Sequence, residues 1–206
     1  MKKLLALTLA VVMILTVSAA FAKTLTTDED CYEGLPGVVV NATVGEYNTL
    51  QKTFTVTMYA DDCFDIEDVA KLAAGDTLVA GQNVYTVKEI KTTDNDEVMA
   101  VTEDGTEIVF VQVGDDHAIA QSTDDDRRFM HAIAVLQLPA AEGIIYEDNS
   151  DPEKDEPVVT KGLEEILKIK EEKEKTSIGF DFYATIIELN DKMEIVRIHQ
   201  DFDVAQ

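Results

Sequence analysis

"TFTVTMYA", residues 53–60, alternates Phe54, Val56 and Met58 with Thr53, Thr55, Thr57 and Tyr59. A period of two puts each set on its own face of an extended chain, so the segment reads as a half-buried antiparallel strand with its threonines outside. Just before it, "GVVVNATV" (37–44) is a second β-rich run. Just after it, "CFDIEDVAKLAAGDTL" (63–78) reads as a helix start. Asp65 fits the N-cap, Ile66 to Asp68 the first turn, and Phe64 and Val69 the two positions of a hydrophobic staple. Glu67 and Asp68 then meet the positive end of the helix dipole, Ile66, Val69, Ala70 and Ala73 can share a face close to Leu72, and Gly75 ends the turn. A calcium loop instead needs carboxylates at alternate positions, a glycine at the sharp bend and a closing glutamate, and hydrophobic residues interrupt that series here.

Farther along, "DTLVAGQNVYTVKEI" (76–90) reads as strand, tight turn and strand, with Gly81 and Asn83 tolerating positive φ around Gln82. "EVMAVT" and "TEIVFVQV" form a second hairpin about Glu103, Asp104 and Gly105. "RRFMHAIAVLQLPAAEGIIYED" (127–148) fits either a strand pair broken at Pro139 or a short helix running into a strand, and periodicity leaves both open. "EDNSDPEKDEP" (147–157) reads as an acidic linker. "KGLEEILKIKEEKEK" (161–175) reads as a surface helix, with Leu163, Ile166 and Leu167 on one side and Glu164–Lys168 and Glu171–Lys175 spaced as i,i+4 pairs. The end, 178–200, alternates in two arms about Asn190 and Asp191 and predicts a hairpin that must pack on another element.

The expected fold is therefore mainly β (α+β): a small antiparallel β-barrel or strongly bent sheet with one short helix, then a helix plus β-hairpin. The expected organisation is a signal peptide at 1–22, a β-barrel-like domain at 23–124 and an α+β region at 125–206.

Lys2 and Lys3, the apolar stretch Leu4 to Val17, and Ala20 and Ala22 around Phe21 have the layout of a secretory signal peptide cut after Ala22. That cut removes two lysines and no acids, so the formal charge moves from -24 to -26. Nucleic acid and anionic membranes, which need clustered Lys and Arg, are excluded as partners. No other stretch is long enough to cross a bilayer, which implies no membrane span after signal cleavage and a secreted or cell-surface protein. Outside the cytosol the two cysteines, Cys31 and Cys63, are expected to pair as a disulfide.

Catalytic constellations are poorly represented. His117, His131 and His199 are far apart, and zinc held by His117 with Asp115 or Asp116 lacks a closely spaced second ligand. Ser122, Ser150 and Ser177 sit in no glycine-flanked elbow, the glycines form no phosphate loop, and no tryptophan is present to build a sugar platform. Arg127 and Arg128 follow Asp124 to Asp126 and most simply neutralise them. "NAT" (41–43) matches a glycosylation triplet. Acid pairs such as Asp61-Asp62 and Asp115-Asp116 leave weak calcium binding open, so the metal question stays undecided. No catalytic residue and no cofactor is assigned. The leading expectation is an exported, acidic, non-catalytic binding or interaction module for an unknown protein or cell-surface ligand. The alternatives are an extracellular hydrolase with carboxylates or a histidine in a cleft between two halves, and a calcium-stabilised structural protein.

"FDIEDVAKLAAGDTLVAGQNVYTVKEI" (64–90), together with the closing hairpin, resembles secreted proteins of anaerobic Gram-positive bacteria that combine a "GDT...Y.V..I" hairpin with short strands. The resemblance spans about 27 residues well and the rest only in style, and it implies no activity.

Overall fold

The computed structural model describes residues 23–27, 39–151, 153–154, 156–176 and 179–201. In chain order these form β1 (Thr24–Leu25), β2 (Val39–Asn48), β3 (Thr53–Asp61), β4 (Cys63–Asp65) and α1 (Ile66–Val69). Next come β5 (Thr77–Ala80), β6 (Asn83–Thr92), β7 (Val98–Thr102), β8 (Glu107–Val113) and β9 (His117–Ser122). The chain continues with β10 (Met130–Asp148), β11 (Val158–Lys161), α2 (Leu163–Thr176), β12 (Thr185–Leu189) and β13 (Ile195–Gln200). The protein is mainly β.

Strand β3 behaves as its alternation predicts: Phe54, Val56 and Met58 are buried and the intervening threonines are half-exposed. It pairs antiparallel with β2 on one side and with the first half of β10 on the other. Strand β10 then passes to β13 in parallel, β13 pairs antiparallel with β12, and β12 returns to β2. Five strands thus close into a ring. In chain order within the ring the neighbours run 1-2-3-5-4 and back to 1, with one parallel pair and a helix between the third and fourth strands. That is the connectivity of the five-stranded Greek-key barrel called the OB-fold. Its core gathers Val44, Phe54, Val56, Tyr146, Ile187 and Ile198, and α2 closes it with Ile166, which is fully buried.

The ring closes because β10 is long and changes partners. Pro139 stands opposite Thr53, the first residue of β3, and Ala140 already faces Ile195 of β13. The missing proline N–H therefore falls where one ladder hands over to the next, a position that tolerates it. The register then shifts between Ala140 and Ile145, and Gly143 takes φ +80° within that bend. A left-handed residue there lets the strand turn around the barrel without a break.

The segment between β3 and β10, joined by β1 from before the barrel, builds a second unit. Its sheet runs β1-β5-β6-β7-β8-β9-β4, antiparallel except for the parallel pair β1–β5. Phe64, Val69, Leu72, Leu78, Ile108 and Phe110 fill a separate core. Asp65 caps α1 by accepting from the N–H groups of Glu67 and Asp68, as its position predicts.

Several sequence expectations are corrected. The two cores do not divide at 124/125, because β2 and β3 belong to the same barrel as β10, β12 and β13. Residues 127–148 are neither a strand pair broken at Pro139 nor a helix but one bent strand from Met130. The acidic linker starts later than expected, since Glu147 and Asp148 still pair with β11 and β13. Helix α1 is one turn, and Leu72 rather than Ala70 or Ala73 completes its buried face. Gln82, not Asn83, joins Gly81 at positive φ, and Met193 rather than Asn190 or Asp191 carries the positive φ in the closing hairpin. Lys168 pairs with Glu165 instead of Glu164, whereas Lys175 does pair with Glu171. The expected signal peptide and Cys31 lie outside the described residues.

Candidate binding face

The outer surface of β2, β3 and the first half of β10 is laid out by register. Asn41, Tyr59 and Ala132 form one row, and Thr43, Thr57 and Val135 the next. Thr55 then faces Gln137, and Thr53 faces Pro139. Gln137 is fixed between the two threonines: its Nε2 donates to Thr55 Oγ1 at 2.8 Å, and its Oε1 accepts from Thr53 Oγ1 at 3.0 Å. Val135 is 66% exposed. None of these residues is charged, in a chain where 28% of residues are. Gly45 keeps the β2 edge of the face low, and a Cβ there would stand 3.1 Å from the Thr55 carbonyl oxygen.

One end of the face is held by rings. Tyr59 stacks on Phe182 at 4.0 Å between centroids, Phe182 lies 4.1 Å from Tyr183, and the Arg127 guanidinium sits 4.7 Å above Tyr183. Burial pushes the Tyr183 hydroxyl up in pKa, with Arg127 opposing. Phe182 is thus held between Tyr59 and Tyr183, and the stack forms a wall at this end of the face whose outer ring, Tyr183, stays 45% exposed.

Beside that wall, Asp62 joins the barrel to the second unit. Its side chain is 1% exposed. Its Oδ1 lies 2.6 Å from His131 Nδ1 on β10, and its Oδ2 accepts from the Gly81 N–H in the β5–β6 turn. Its main chain bonds Phe129 and Ala120, so one residue ties four segments. Asp61 next to it binds the Arg128 guanidinium at 3.0 Å, while burial raises its pKa against that pull. Arg128 thus neutralises Asp61 rather than the 124–126 run, and Arg127 lies 3.5 Å from Asp125.

Other polar clusters have structural explanations. Ser150 Oγ lies 2.5 Å from Asp148 and 3.2 Å from Lys173 Nζ, which superficially resembles a serine–lysine pair. The Lys173 ammonium is instead engaged by the Asp148 carboxylate at 3.0 Å, so the three groups form an ion-pair and hydrogen-bond cluster that joins α2 to the end of β10. Burial raises the Asp148 pKa, but the Ser150 hydroxyl and Lys173 outweigh it and leave it below the usual range. His199 stands 3.6 Å from Glu147 and 3.7 Å from Asp201, and Glu147 is held low by Arg197. His117, His131 and His199 lie on β9, β10 and β13 and are not brought together. Among the described residues no group of three His, Cys, Asp or Glu is placed to hold a metal. Cys63 is buried on β4, and no described cysteine is free. Asn41 of the glycosylation triplet lies on the barrel surface with its amide donating to the Met130 sulfur.

Sequence reasoning had half of this face, the threonines of β3. The other half lies in residues 127–148, where periodicity leaves both readings open although exposed Val135 and Gln137 alternate with half-buried Leu136 and buried Leu138.

No protein-family model, curated protein or solved structure matches the chain.

Proposed function

We propose that the protein is an exported, non-catalytic binding module that holds a neutral oligosaccharide of a cell surface on its β2–β3–β10 face. The observation that carries this reading is the uncharged, hydroxyl- and amide-bearing centre of the face, with charge confined to Glu46 on β2 and the Asp61–Arg128 pair at the end of β3, on a protein with 41 acidic and 17 basic residues. OB-type barrels use this strand face for oligonucleotides and oligosaccharides. Self-repulsion by the net charge disfavours the polyanion and leaves the neutral sugar polymer. Thr55, Thr57 and Gln137 supply paired donors and acceptors for sugar hydroxyls, and Val135 with Pro139 supplies apolar contact for C–H faces.

Affinity electrophoresis through gels containing neutral wall polysaccharides tests the reading. Retardation that Val135→Glu abolishes, with the melting temperature unchanged, is the expected result. Migration unaffected by every neutral polysaccharide, or retardation that Val135→Glu leaves intact, would overturn it.

A further inference from the structure

We propose that cutting the chain after Ala22 does more than release a leader: it makes the α-ammonium of Lys23 the counter-ion of the buried Asp76 carboxylate and thereby locks the second unit. This inference shares the export element of the proposed function and is independent of what the binding face holds.

Lys23 is gripped at three points. Its main-chain N donates to Asp76 Oδ1 at 2.8 Å, its carbonyl accepts from the Thr77 N–H at 2.7 Å, and its Nζ lies 2.7 Å from Asp68. The next residues continue the anchorage, because Thr24 and Leu25 pair in parallel with Thr77 and Leu78. Leu25, 3% exposed, enters the core beside Leu78.

Asp76 is only 9% exposed. Among the described residues its carboxylate accepts from two main-chain N–H groups, those of Lys23 and Ala73. Both are neutral donors in the uncut chain, and a buried carboxylate without a counter-charge is costly. Hydrolysis of the Ala22–Lys23 amide adds one water. The acyl carbon takes the hydroxyl and leaves as the leader's carboxylate, and the nitrogen takes hydrogen and is protonated to an α-ammonium at neutral pH. The same nitrogen then donates with a full positive charge, which makes the hydrogen bond about twice as strong as a neutral one. The surrounding charges leave room for it. From α1 come Glu67 and Asp68, with Lys71 3.6 Å from each, while Lys23 Nζ is already taken by Asp68. From β6 the contact is the Val87 N–H, which donates to the Asp76 carbonyl.

The test compares chemical unfolding of two otherwise identical proteins, one beginning at Lys23 and one carrying Gly-Ser before it. At neutral pH the first is expected to have a roughly tenfold larger folding constant, the size of one charge-assisted hydrogen bond. The difference should fade as pH rises past about 8 to 10, where an α-amine held by a carboxylate loses its proton. It should also vanish in the Asp76→Asn background. Equal unfolding midpoints at neutral pH, or a difference that survives Asp76→Asn, would overturn the pairing. N-terminal sequencing of the protein exported by its own leader is expected to begin at Lys23, and any other start would overturn the cut. Loss of polysaccharide binding in the proposed function changes neither readout.

Discussion

Asp62 Oδ1 and His131 Nδ1 stand 2.6 Å apart, and this contact bridges residues that begin and end the chain's excursion from the barrel. Asp62 follows β3 and His131 is the second residue of β10, so the pair clamps both strands at the point where the second unit departs and returns. Replacing Asp62 by Ala leaves the Gly81 N–H and the partly exposed histidine without their buried carboxylate. A loss of about 2 kcal/mol is expected in urea unfolding, the range for hydrogen bonds to a carboxylate whose donors are left unsatisfied. Asp62→Asn keeps one acceptor and should lose less, whereas equal stability of Asp62→Ala and wild type would remove the clamp.

Gly143 is the second sensitive point, because β10 turns there with φ +80°. No side chain stands within 4 Å of the position, so a substitution there is resisted by backbone conformation and not by space. Gly143→Val should cost about 1 to 3 kcal/mol, since a β-branched residue at positive φ is strained. Pro139→Ala, at the handover between β3 and β13, should stay within about 1 kcal/mol. Thermal unfolding of the two variants checks the contrast, and the reverse order would refute the bend as the closing device.

These two residues also explain what the sequence could reveal about the fold. Alternation at Phe54, Val56 and Met58 is a local signal, and it correctly gave the strand and its buried side. The hairpins about Gly81 and Gly105 were equally local, because two-residue and short turns fix register through their own dihedrals. Pro139 and Gly143 gave the opposite signal, since a proline and a left-handed glycine ordinarily punctuate a chain. Only the partners, β3 before the bend and β13 after it, make the same residues part of one strand. Those contacts join residues 53–61 to 130–139 across an entire inserted unit, and no periodicity records such a pairing. The binding face depends on it directly, because Gln137 meets Thr53 and Thr55 only after the ring is closed.

The expected bridge between Cys31 and Cys63 closes a loop of about 33 residues, which the chain-entropy model values at roughly 3 to 4 kcal/mol. Reductant should therefore lower the denaturant midpoint, and the intact mass should rise by two hydrogens on reduction. Two thiols that react freely with an alkylating agent in the native protein would end the proposal.

Acid should release the strap between α2 and the end of β10. The Asp148 carboxyl lies below its usual range in the folded state, because Ser150 and Lys173 outweigh the effect of burial. A depressed folded pKa means that the ionised form is favoured by folding, so the contribution is complete above the unfolded value of about 3.9 and is lost as pH falls through the folded value. The partners are partly solvated, with side-chain exposures of 19% for Lys173 and 23% for Asp148. Solvent screening therefore limits the expected cost of Asp148→Asn at neutral pH to about 1 kcal/mol. Wild type and Asp148→Asn should converge as pH falls through the depressed folded-state pKa of Asp148, where the wild-type carboxyl is itself protonated. A stability gap that stays constant from pH 7 to pH 2 would show that the residue acts through packing and not through its charge.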